Sequence, residues 1–139
     1  MPGFGELVRS RLVPCVEGFF RADGTVRRVD YDGPQLSWFE LGPLFTPDWE
    51  YDLDGLADID WADRALLAPG QGSVCCGEGP MGADGFLARL DPHDVPVWVA
   101  FMTRSNPFQQ VRVDGTVATF TNNLDRSVAI DLDQPDFAA

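Results

Sequence analysis

The chain has 139 residues, 45% of them apolar, with ten Phe, four Trp and two Tyr, and its 22 acidic against ten basic residues give a formal net charge of −12. This length predicts a single domain over 1–139 with a core that needs no staples, and the aromatic content excludes the disordered acidic class. So negative a body excludes nucleic acid and anionic lipid as partners and favours basic proteins or divalent cations.

In chain order, Phe4, Leu7, Val8 and Leu12 recur at helical spacing before Pro14, which predicts a short helix over 4–12. Segments 16–22 and 25–31 flank Asp23-Gly24, a dipeptide suited to a two-residue hairpin turn. From 34 to 45 neither period wins, and the stretch is expected to be irregular. In 48–63, seven of sixteen residues are acidic. Its first half alternates Trp49, Tyr51 and Leu53 with Asp48, Glu50, Asp52 and Asp54, as in a strand with one wet face. Asp60 and Asp63 are placed to cap a helix over 60–67, with Leu66 and Leu67 inward and Pro69-Gly70 ending it.

The second half reads as a meander. Strands are expected at 73–76 and 85–90, then at 95–103 after the turn Asp91-Pro92-His93-Asp94. In 95–103 both alternating faces are apolar, the mark of a central strand covered on both sides. Turns at Asp114-Gly115 and Asn122-Asn123 link the last three strands. The expected fold class is α+β, a predominantly antiparallel β-sheet meander with one or two short helices packed on one face.

Three cysteines, two of them adjacent, read as reduced buried thiols. The absence of a basic-then-apolar leader and of any ~20-residue apolar run predicts a cytoplasmic chain with no membrane partner. All ten basic residues are arginine, which leaves no lysine for Schiff-base or phosphate chemistry.

The acidic stretch fails as an EF-hand. With Gly55 as the sixth position, Glu50, Asp52 and Asp54 fall at 1, 3 and 5, but Trp61 stands where the bidentate Glu belongs. It remains a protein-binding face in which Asp48, Trp49, Glu50, Asp52, Asp54, Asp58, Asp60, Trp61 and Asp63 surround aromatic anchors with charge. The plain alternative is a solvated strand face. Cys75-Cys76 has no zinc-spaced partner, His93 sits in a turn, and the glycine-rich 77–82 lacks the features of a phosphate loop. Arg21, Arg27 and Arg28 are expected to pair locally with carboxylates. No catalytic residue, metal site or cofactor is predicted.

Over 82–108, at Asp84-Gly85-Phe86-Leu87-Ala88, Val97-Trp98-Val99-Ala100-Phe101 and Ser105-Asn106-Pro107-Phe108, the chain resembles small acidic bacterial immunity proteins of toxin–immunity systems. The resemblance implies a cytosolic inhibitor that binds a toxin, and it assigns no functional residue. The leading expectation is therefore a non-enzymatic acidic domain that neutralises a basic toxin or similar partner. Two alternatives stand beside it. One is a small-molecule-binding or enzymatic β-domain with a pocket lined by Trp38, Phe39, Trp98 and Met102; the other is a homo-oligomeric structural protein that buries the aromatics of 34–49.

Overall fold

A computed structural model describes residues 12–14, 16–45, 56–58 and 60–139. The strands are β1 (Leu12–Pro14), β2 (Gly18–Arg21), β3 (Val26–Tyr31), β4 (Phe39–Leu44), β5 (Leu56–Asp58) and β6 (Asp60–Leu66) in the first half. The second half adds β7 (Ser73–Glu78), β8 (Gly85–Leu90), β9 (Pro96–Met102), β10 (Phe108–Asp114), β11 (Val117–Asn122) and β12 (Ser127–Asp131). A seven-stranded sheet runs β4-β3-β2-β9-β8-β7-β6, a three-stranded sheet runs β10-β11-β12, and β1 pairs with β5. All these pairings are antiparallel.

The fold is a β-sandwich-like arrangement, which corrects the expected α+β class. Among the described residues the helical content is one 3-10 turn at Gly33–Gln35, and no α-helix packs on the sheet. The helix expected over 60–67 is the edge strand β6. Its cap-like acids and the Leu66-Leu67 doublet resemble helix signals, but pairing with β7 and period-two burial decide the conformation, and Leu66 is 76% exposed. Of the helix expected over 4–12, residues 4–11 lie outside the described residues and Leu12 begins β1. The stretch read as irregular contains β4, whose Pro43 is tolerated because among the described residues β4 is the edge strand of its sheet.

Register explains the doublets of apolar residues. Cys76, Leu87, Ala100 and Phe19 form one cross-strand row, and Cys75, Ala88, Val99 and Phe20 form the next, on the opposite face. The first row belongs to the core between the two sheets, with Trp98, Met102, Phe108, Val111, Phe120 and Ile130. The second belongs to a separate buried cluster with Phe86, Leu90 and Phe101. Each large side chain so buried contributes about 1.5–3 kcal/mol. The expected two-sided central strand is β9; a bulge opposite Arg89 and Leu90 moves Val97 onto the Trp98 side.

The turns differ from expectation in detail. The first hairpin has a three-residue loop, with Arg21 and Thr25 bonded across it and Gly24 at φ +91°. The second turns on Gly115-Thr116, one residue later than expected, with Gly115 at φ +60° in the first loop position that favours glycine. Gly77 is required by contact: a Cβ there would lie 1.8 Å from the Asp60 carbonyl oxygen and 2.7 Å from the Phe86 ring.

After β12 the chain forms a strap across the core. Arg89 Nη1 donates to the Leu132 and Phe137 carbonyls at 3.1 and 3.0 Å, and the Trp98 indole donates to the Phe137 carbonyl at 3.0 Å. Arg21 donates to the carbonyls of Asp136 and Ala138, and Arg27 pairs with the Asp136 carboxylate at 2.6 Å. Arg27 thus pairs with a carboxylate, but with one from the far end of the chain and not a local one, whereas Arg28 stacks 4.4 Å from the Phe45 ring centre.

Candidate functional site

The two lateral sides of the sandwich differ. On one, β10 lies against β6 and β7, and Asp63 Oδ2 accepts from the Val111 amide at 2.9 Å, which joins the two sheets. On the other, β4 and β12 are edge strands among the described residues, and both line a cleft of about 440 Å³. Phe39, Leu41, Ile130 and Phe137 line it together with Glu40, Asp131 and Asp136, and the Asp131 carboxylate accepts from the Asp133 amide. Among the described residues only Asp136 of these three acids is in an ion pair. Asp30 and Glu40 stand opposite each other in the β3–β4 register, both exposed, where like charges weaken a sheet.

The proposed acidic face is only partly described. Asp48, Trp49, Glu50, Asp52 and Asp54 lie outside the described residues; Asp58 ends β5, and nothing is assigned to its side chain. Asp60 is exposed at the start of β6. A bulge between Trp61 and Asp63 sends these two to opposite faces: Trp61 packs on the second cluster, and Asp63 turns between the sheets. One flat surface therefore does not present both side chains. The cleft residues were missed because their signal is distributed. Phe39-Glu40-Leu41 alternates in a stretch read as irregular, and Phe137 comes from the strap.

Of the other candidates, Cys75 and Cys76 are fully buried on opposite faces of β7. Burial pushes both thiols up to about 12; the neighbouring thiol of Cys76 adds to the effect at Cys75, and the Asp63 carboxylate adds to it at Cys76. Neither is therefore a thiolate nucleophile near neutrality. Iodoacetamide at pH 8 should modify Cys75 and Cys76 only after denaturation, as read by peptide mass mapping; rapid native labelling at either would contradict their burial. Asp84 is buried and accepts from the Met81 amide at 3.3 Å, so it holds its own loop. Tyr31 donates to Glu17, and burial followed by that carboxylate raises the phenol pKa. Trp98 and Met102 are buried in the core while Trp38 is 48% exposed, so the four-residue aromatic pocket is not assembled among the described cavities.

No protein-family model, no curated protein and no solved structure matches the chain. Among the described residues no helix is long and apolar enough to cross a membrane, and no group of three or more His, Cys, Asp or Glu is arranged to hold a metal ion.

Proposed function

We propose that the chain is a non-enzymatic module that binds a basic protein partner and receives an extended segment of it on the open β4/β12 side. The observation that carries this reading is one cleft lined by apolar and acidic residues from two strands that, among the described residues, are the edges of their sheets. An added segment can bond to a free edge through its backbone while alternate side chains enter the apolar floor. The net charge of −12 steers a cationic partner toward it, and partner arginines would offset the opposed Asp30 and Glu40. An immunity-type inhibitor of a basic toxin is the finer form of this proposal, supported by the charge and by the resemblance over 82–108. The acidic residues of 48–63 supply the long-range field and a second surface to be tested.

A synthetic peptide of alternating Arg and Val serves as probe. Wild type should bind it with affinity that falls about tenfold or more between low and high salt. Glu40→Lys combined with Asp131→Asn should remove most of that affinity, whereas Asn at Asp52, Asp54, Asp58 and Asp60 should reduce it modestly. The reverse ranking would move the docking surface to the acidic segment. No binding by wild type would overturn the reading.

A further inference from the structure

We propose that the strap after β12 is a detachable wall of the β4/β12 cleft, so that partner binding and strap docking reinforce each other. Arg21 and Arg89 are then positioning residues, which hold the strap and do not line the cleft. The inference rests on the reading of that cleft as the docking site and adds its regulation. Three lining residues, Gln134, Asp136 and Phe137, belong to the strap, and the others come from β4 and β12. The cleft is therefore complete only while the strap is docked. Release of the strap would uncover Phe19 and Trp98, which Phe137 covers edge-on and which have no solvent exposure in the docked form.

The strap is held by its backbone. Among the described residues, five side-chain N–H bonds reach its carbonyls: Arg89 to Leu132 and Phe137, Trp98 to Phe137, and Arg21 to Asp136 and Ala138. Attachment through carbonyls leaves the strap's side chains for other contacts. Phe137 plugs the core, and the Asp136 side chain stays 53% exposed although it pairs with Arg27. Arg27 also donates from Nε to the Gly42 carbonyl at 2.8 Å, so one guanidinium joins the strap to β4, which lines the same cleft.

A polar fastening of this kind is reversible. Its hydrogen bonds are exchanged for bonds to water at small net cost, so the strap opens more readily than the strands beneath it. Docked and released forms then stand in equilibrium, and only the docked form offers the whole cleft. A segment that binds the docked form draws the equilibrium toward it, and by linkage a loosened strap weakens the segment.

Amide hydrogen exchange of the full chain, with and without the alternating Arg/Val peptide, tests this. It is read at Leu132, Phe137 and Ala138, whose amides are bonded in the docked strap. With free peptide at about ten times its Kd, exchange at these amides should slow about tenfold, as it must when only the docked form binds. Arg21→Ala should speed that exchange and weaken the peptide about threefold or more. Charge alone predicts the opposite sign, since loss of an arginine makes the chain more attractive to a cationic peptide. Arg64→Ala, on β6 at the other edge of the seven-stranded sheet, is the charge-matched control and should bind no more weakly than wild type. Should Arg21→Ala not fold, the exchange of wild type decides. Peptide that binds wild type without slowing strap exchange would overturn the coupling and leave the docking site standing. So would unchanged affinity in Arg21→Ala, or an equal loss in Arg64→Ala. No binding by wild type would overturn the docking site and the coupling with it.

Discussion

Replacing Trp98 by Ala should cost about 3–5 kcal/mol, a large share of the total stability of a domain this size. The indole has no solvent exposure and stands 5.4 Å from the Phe19 ring and 5.6 Å from the Phe137 ring, both measured between centres. Its removal leaves a void at the centre of the inter-sheet core and takes away the surface on which Phe137 rests. The lost hydrogen bond matters less than the lost packing, because the Phe137 carbonyl still accepts from Arg89. Trp98→Phe should therefore cost much less, about 1–2 kcal/mol. Denaturant midpoints of the two variants would measure the difference. Limited proteolysis should show the segment after β12 released in Trp98→Ala and retained in Trp98→Phe. A loss below about 1.5 kcal/mol in Trp98→Ala would contradict the packing described.

Asn122→Leu should be comparably damaging for an unrelated reason. Asn122 is 1% exposed, and its amide is fully used. Nδ2 donates to the carbonyls of Pro34 and Ser105 at 2.8 and 2.9 Å, and Oδ1 accepts from the amides of Leu124 and Arg126 at 3.0 Å each. This one side chain ties the β11–β12 turn to the 3-10 turn and to the loop after β9. A leucine of similar volume removes four bonds and strands their partners, at about 1 kcal/mol or more for each partner that water does not reach, for a total of about 3–5 kcal/mol. Asn122→Asp keeps the two accepting bonds but sets a carboxylate oxygen against two carbonyls, so it should be no milder. Equilibrium unfolding of both variants at neutral pH is the measurement, and a near-neutral Asn122→Asp would refute the assigned amide orientation.

Asn122 also marks the limit of what the sequence discloses. Its place in a turn is legible from Asn122-Asn123 because asparagine bonds readily to nearby backbone. Its bonds to Pro34 and Ser105 join residues far apart in the chain and leave no local trace. The same division runs through the fold. The meander from β7 to β12 is legible because glycine and aspartate turns punctuate it, and because a strand buried on both faces must be apolar at consecutive positions. Strand β6 is misread because an edge strand has one exposed face, so Asp60, Asp63 and Leu66 satisfy helix-start and helix-face patterns equally well. Only the pairing with β7 and the Asp63–Val111 bond settle it, and the latter joins residues 48 positions apart. Arg89 looks like an ordinary surface arginine in Leu87-Ala88-Arg89-Leu90; it is covered by a strap whose first contact, Leu132, lies 43 residues later.

The candidate site follows the same logic. Clustered charge in 48–63 is visible at once, since it is a property of a single segment. The β4/β12 cleft is not, because its two walls are brought together by the sandwich and its floor by Phe137. Asp63 shows the hazard of reading function from composition: it belongs to the acidic run by sequence and to the seam between sheets by structure.

Amide shift mapping by NMR during titration with the Arg/Val peptide tests the central claim most directly. The account predicts perturbations concentrated in β4, in β12 and at 134–137, with lost intensity or large shifts at the free-edge amides. Perturbations confined to β6 and 56–60, with β4 and β12 silent, would contradict it.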